Sequence, residues 1–180
     1  MNLWLRMLWL ALTARFRPRF DTPLGLSRLT LRVWPFDVDV NRHLNNGRYL
    51  TIADLGRADL FHRSGVWRQA RAMGLFSTML GVAIRFQKEI KPLRTFDLES
   101  RWVYWNERVA VMEHLFLIGA GEGRRVAARE FASCGFYDMK VRRFVDPGDL
   151  FRKAGAQGGS PPASEEILAF LKAQETLKQV

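Results

Sequence analysis

The chain is poor in cysteine, histidine and acidic residues. Its single cysteine, Cys134, excludes an internal disulfide. In the strand-like run FASCGFY it reads as a small buried apolar residue, and such usage fits a reducing, cytoplasmic compartment. The three histidines, His43, His62 and His114, stand far apart on different predicted elements with no zinc-ligand spacing, so no metal is expected. Eighteen Asp and Glu face 28 Lys and Arg, a net charge of +10. That balance attracts nucleic acid, anionic lipid or polyanionic small molecules. Finger spacing, an RNP-type aromatic run and a helix-turn-helix are all missing, which argues against nucleic acid as a partner. Also missing are a Gly-x-Ser-x-Gly nucleophile elbow, a P-loop and a dinucleotide fingerprint, since GAGEG at 119–123 lacks the strand-to-helix context. No cofactor is expected, and there are no repeats.

What is present begins with 180 residues, enough for one domain with a real core. Residues 1–20 stand apart as an apolar and basic helix. Leu3 to Leu12 is greasy apart from Arg6, and Arg15, Arg17 and Arg19 follow. On a helix Asn2, Arg6, Trp9 and Thr13 share one narrow stripe. The block is too short to span a bilayer. Arginines crowding its end argue against a cleaved signal peptide and export. Its tryptophans, leucines and basic flank suit a helix in the membrane interface through residues 3–14. They suit equally a helix docked on its own domain or on a second subunit.

A connector at 18–27 leads to a strand at Arg28–Val33, a polar loop at Pro35–Asn45 and a helix over Asn46–His62 stopped by Ser64 and Gly65. A short helical piece is expected at Val66–Met73. Strands follow at Phe76–Gln87, Phe96–Trp105, Val109–Ile118 and Arg124–Asp138, with Gly119–Gly123 as a plain hairpin connection. Val141–Asp149 reads as a less regular edge and Gly155–Ser160 as a flexible linker. Ser164–Lys178 reads as a terminal helix with Lys178 in its last turn. The organisation is a helix at 1–20, a domain at 26–150, and a linker with a C-terminal helix at 155–180. One strand, a long helix and an antiparallel meander make an α+β domain with helix against sheet.

The polar loop carries the chemistry. Asp37, Asp39, Asn41, His43, Asn45 and Asn46 fall within ten residues, followed by Gly47 and Tyr49. Asp37-Val38-Asp39, His43-Leu44-Asn45-Asn46 and Tyr49 resemble the D-x-D-x-x-x-H-x-N-N-x-x-Y signature of hotdog-fold acyl thioesterases. These belong to the 4-hydroxybenzoyl-CoA thioesterase-like superfamily. Asp39, Asn41 and His43 also match the D-x-N-x-H run of plant acyl-ACP thioesterases. The chain is most similar to the thioesterase superfamily member six group. That likeness rests on WPFDVDVNRHLNNGRYL, on Lys91-Pro92-Leu93 with Phe96, and on Trp105-Asn106-Glu107-Arg108, and covers roughly residues 28 to 140.

The resemblance implies a hotdog fold, an antiparallel sheet wrapped around a long central helix. It implies hydrolysis of fatty acyl-CoA, or acyl-ACP, to free acid and thiol. It also implies a homo-oligomer, dimer or tetramer. Asp39 matches the motif's second aspartate and takes the nucleophile or general-base role; without the resemblance, turn duty would be its ordinary reading. His43 would orient Asp39 or polarise a water. Asn45 would orient the loop or touch the thioester, with helix capping as its alternative. Backbone N–H groups of Asn46, Gly47 and Arg48 are the expected oxyanion site, because a helix start leaves such groups unpaired. Lys88, Lys91 and Arg94 are candidates for coenzyme A phosphates. Asp37 reads as structural and Tyr49 as core. A non-catalytic acyl- or lipid-binding protein at a membrane surface and a hydroxyacyl thioester dehydratase are the other readings.

Overall fold

The computed structural model describes residues 3–14 and 16–178, so Asn2 and Arg15 lie outside the described residues. The elements in order are α1 (Leu3–Ala14), β1 (Ser27–Arg32), α2 (Asn46–Arg63), α3 (Val66–Ala72), β2 (Leu75–Phe86), β3 (Thr95–Trp105), β4 (Ala110–Ile118), β5 (Arg125–Asp138), β6 (Arg143–Val145), α4 (Pro147–Lys153) and α5 (Glu165–Leu177). The strands form one antiparallel sheet in the order β1-β3-β4-β5-β2, and β6 pairs with the end of β5. This is the expected α+β arrangement of helix against sheet.

Burial explains the strand patterns. β1 alternates buried and exposed residues because one of its faces meets the core. β4 is buried along nearly its whole length. Its inner face meets α2, and Val111 on its outer face is covered by Ile167 and Phe170 of α5. The long helix α2 starts where Asn45 Oδ1 accepts from Gly47 N at 2.9 Å. It buries Tyr49, Ile52, Leu55, Gly56 and Leu60. Gly56 is where α2 crosses β3, and a Cβ there would collide with Ser100 Oγ. Gly56→Ala is therefore expected to destabilise by about 1–3 kcal/mol through overpacking, despite alanine's better helix propensity, read as a lower denaturant midpoint. An unchanged midpoint would show that the helix–strand approach is not tight.

Four expectations change. Val141–Asp149 is not a loose edge: Arg143–Val145 pairs with β5, and Asp146 caps a seven-residue helix, accepting from Gly148 N at 2.7 Å with Pro147 in the first turn. Phe151 of that helix stacks on Trp105 at 4.2 Å, so tertiary packing holds an element too short to signal itself. The GAGEG connection contains a 3-10 turn at Gly121–Gly123. Lys178 is the cap residue of α5, and its last turn holds no basic side chain. The linker is anchored, since Trp105 N donates to Ser160 Oγ at 2.8 Å.

Helix α1 takes the docked position that its sequence left open beside the membrane one. It docks on the domain, with Leu10 in the main core and Leu3 and Met7 packed against it. Arg6 is 2% exposed and pairs with Asp37, while Trp4, Leu5, Leu8, Trp9 and Leu12 are exposed. Among the described residues no helix is long and apolar enough to cross a membrane.

Candidate active site

The loop between β1 and α2 is held by its own backbone. Pro35–Asp37 makes one 3-10 turn. Val38 and Leu44 then pair, Asp39 N donates to His43 O at 3.1 Å, and Arg42 closes the hairpin with φ of 60°. Leu44 N bonds Ile90 O at 2.9 Å, which fastens the loop beside the end of β2.

Asp37 is the loop's fixed point. Its Oδ1 accepts from Arg48 Nε and Nη2 at 3.0 and 2.7 Å. Its Oδ2 accepts from Trp34 N at 3.0 Å and from Arg6 of α1. Burial pushes its pKa up, but the Trp34 N–H and the Arg48 and Arg6 guanidinium groups outweigh this and hold the carboxyl below its usual range. With both oxygens committed, Asp37 is structural, as its sequence suggests.

Asp39 differs. Its Oδ1 accepts from Asn41 N at 2.9 Å and lies 3.5 Å from His43 Nδ1. Its Oδ2 has no protein partner among the described residues. The carboxylate thus does turn duty with one oxygen and keeps the other available. His43 lines a groove of about 330 Å³ with Asn46, Tyr49, Phe86, Lys88 and Glu89; Asp39 and Asn45 are not on its wall, and Asp39 lies 3.5 Å from His43 Nδ1. Tyr49 is 2% exposed and packs edge-on against Phe86 and Phe116, and burial pushes its hydroxyl up to about 12. It is a core residue that also lines the groove.

The expected oxyanion donors are fewer than anticipated. Asn45 caps α2 twice, through Oδ1 to Gly47 N and through its carbonyl to Arg48 N at 2.9 Å. Gly47 and Arg48 N–H are therefore occupied, and the Asn46 N–H is left as the donor at this helix start. Of the three basic candidates, Lys88 reaches the groove. Lys91 pairs with Glu89 at 3.4 Å, and Arg94 is exposed on the turn that follows.

The sheet also assembles a rung that sequence reasoning missed. Ser100, His114 and Glu130 face one another on β3, β4 and β5. All three are fully buried, and Ser100 Oγ lies 2.7 Å from His114 Nδ1. His114 Nε2 and both Glu130 oxygens lack partners among the described residues. Only the strand register reveals this alignment. Burial, with a lesser push from Asp54 against the pull of Arg57, raises the Glu130 carboxyl to about 8. Burial, aided by Arg57, lowers His114 to about 3. Both groups are thus neutral at pH 7 in the native chain.

The signs set a pH profile. The raised Glu130 contributes stability fully below its ordinary 4.5, lost as pH rises through 8. The depressed His114 contributes above its ordinary 6.5, lost as pH falls through 3. From these two groups stability should be level between 4.5 and 6.5 and fall on either side. Thermal midpoints against pH for wild type and Glu130→Gln check it: the variant should lose the decline between 6.5 and 8, and an unaltered decline would contradict the assignment.

A family model described as the thioesterase-like superfamily matches residues 33–171. Protein THEM6 of Xenopus laevis is 31% identical over 106 residues, covering 59% of this chain and 51% of that protein. The chain spans about half the length of the curated relatives it matches. Among solved structures, the probable thioesterase YbaW of Escherichia coli superposes with a TM-score of 0.63 at 16% identity, over 72% of this chain and 94% of its own. The 4-hydroxybenzoyl CoA thioesterase of a Pseudomonas strain gives 0.61 at 15% identity, over 72% and 98%. The shared architecture is the hotdog fold.

Proposed function

The chain belongs to the thioesterase-like superfamily, and from that premise we propose that it hydrolyses fatty acyl-CoA thioesters to free acid and CoA-SH. The observation that carries this reading is the half-committed Asp39 carboxylate 3.5 Å from Nδ1 of His43, a residue on the wall of a groove that meets the start of α2.

A thioester carbonyl placed beside Asn46 would meet an unpaired N–H and the positive end of the α2 dipole, where the oxyanion develops. Asp39 then acts in one of two ways. It adds to the carbonyl carbon, expels the CoA thiolate and leaves an acyl anhydride that water cleaves, or it takes a proton from the attacking water. His43 orients the carboxylate or polarises that water, and Asn45 holds the helix start in register. Lys88, with Lys91 and Arg94 beyond it, offers cationic groups to the CoA phosphates. A CoA thioester is favoured over an ACP thioester because a protein of the same fold is a 4-hydroxybenzoyl CoA thioesterase. The test is free-thiol release from purified protein across short- to long-chain acyl-CoAs. Absence of release on every chain length would sink the reading and leave binding without turnover.

The same reading includes a homodimer. β2 is an edge strand of 12 residues, and Phe76, Met79, Leu80, Val82 and Phe86 are exposed along it. Long apolar edges of this kind invite another strand, and a second copy supplies a self-complementary one across a two-fold axis. Leu80→Lys with Val82→Lys should turn a dimer into a monomer in sedimentation equilibrium; a wild-type monomer would refute it. The outward face of α1, with Trp4, Leu5, Leu8 and Leu12, is proposed to rest on a membrane surface. Co-sedimentation with anionic vesicles, lost in Leu5→Glu with Leu8→Glu, checks it, and sedimentation unaffected by those changes would contradict it.

A further inference from the structure

Arg6 is the one charged residue of α1, and α1 lies outside the matched stretch, since it ends at Ala14 and the match begins at residue 33. Leu3, Met7 and Leu10 recur at helical spacing and pack on the core. Arg6 stands one turn before Leu10 and shares their face, so the docked helix carries a guanidinium into the domain. A buried guanidinium adds little net stability, because desolvation offsets the attraction of its partner. An apolar side chain would anchor α1 as well. What Arg6 adds is a set of directed bonds.

Its Nη2 donates to Asp37 Oδ2 and, at 3.4 Å, to Arg32 O. Arg32 ends β1, and Asp37 ends the 3-10 turn that follows. One side chain thus braces both ends of the entry to the polar loop. From Asp37 the bracing divides. Its main-chain oxygen accepts at 2.8 Å from the N–H of Asn45, the cap of α2, and its Oδ1 holds Arg48 in the first turn of that helix. Asp39 follows two residues along the chain. Asp37 therefore fixes both the carboxylate assigned to the thioester and the helix start that presents the Asn46 N–H.

We propose that Arg6 is a positioning residue for thioester hydrolysis: through Asp37, docked α1 keeps the Asp39 carboxylate and the Asn46 N–H in register with each other. This rests on the hydrolytic reading above. None of the residues lining the groove at His43 comes from α1, so Arg6 acts through Asp37 and not on the substrate. Without Arg6 the Asp37 carboxylate keeps the Arg48 guanidinium and the Trp34 N–H, so Arg6→Met strands no charge and is compatible with folding. Only Nη2 of Arg6 is engaged, and Nη1 lacks a partner among the described residues, so the single ammonium of a lysine can take its place.

The test is steady-state thiol release from whichever of acetyl-, octanoyl- and palmitoyl-CoA the wild type cleaves fastest, with urea unfolding and amide hydrogen exchange beside it. Arg6→Met should lower kcat by about 10²-fold with KM unchanged, the cost of a displacement on the order of 1 Å at a reacting group. Arg6→Lys should restore part of that loss. Ile167→Ala is the control for stability alone: it weakens the packing of α5 on Val111, far along the chain from the loop, and should lower the urea midpoint while leaving kcat near wild type. The Asn45 N–H should lose protection by about ten-fold relative to the β4 core amides in Arg6→Met and keep it in Ile167→Ala. Absence of thiol release by wild type from all three substrates would overturn the hydrolytic reading and this proposal with it. Release by wild type with kcat unchanged in Arg6→Met, a loss of kcat equalled by Ile167→Ala, no recovery in Arg6→Lys, or Asn45 exchange indifferent to Arg6→Met would each overturn this proposal alone.

Discussion

Asp39→Asn is expected to lower thioester turnover by about 10²- to 10⁴-fold, the usual worth of a positioned base or nucleophile, with the thermal midpoint little changed. Asparagine keeps the shape of the side chain, and its carbonyl can still accept from Asn41 N, so the hairpin survives. The negative charge is lost, and with it both routes: an amide neither attacks the carbonyl nor takes a proton from water. Thiol-release rates of variant and wild type, measured beside their melting curves, decide the matter. Full activity in Asp39→Asn would remove Asp39 from the mechanism.

Asp37→Ala should act on the fold and cost about 3–5 kcal/mol, the range for removing one partner of a buried ion pair. Arg48 is partly exposed and can turn to water, but Arg6 is 2% exposed with its Nη1 already lacking a partner among the described residues. The variant leaves that guanidinium buried with no carboxylate. Urea unfolding measures the loss, and Arg6→Met with Asp37→Ala should recover part of it by removing the stranded charge. A single variant as stable as wild type would mean that Arg6 reaches water once the carboxylate is gone. The depressed pKa of Asp37 adds a sign: its contribution is present above the ordinary carboxylate range and is lost as pH falls through the native value.

Local chemistry was legible in the sequence, and long-range pairing was not. Ser64 and Gly65 announce the end of α2, and alternation finds the strands, because both signals lie within a few residues of what they mark. The D-x-D…H-x-N-N spacing singles out Asp37, Asp39 and His43, and the hairpin Val38–Leu44 brings the last two within 3.5 Å. The pairing of Arg6 with Asp37 was not legible, because its partner lies 31 residues away and helix periodicity does not reach that far. The rung Ser100–His114–Glu130 depends on the register of three strands, which periodicity leaves open. The oxyanion donors were overcounted because Asn45 uses both its side chain and its carbonyl on α2, and a residue letter does not show that double duty.

The outer face of the sheet has a consequence for how the chain is made. Synthesis proceeds from the N-terminus and domains begin to fold as they emerge. β4 and β5 are complete before Ile167 and Phe170 exist, so for that interval Val111 and Phe131 have no cover. The same face carries Glu113 bonded to Arg101 and Arg129 at 2.8 and 2.7 Å. These charges sit beside the bare apolar strip on a nascent sheet and act as gatekeepers against premature strand-to-strand association. When α5 arrives, Glu166 joins Arg129 at 3.2 Å, and the charges that guarded the waiting sheet become the latch for the helix that closes it.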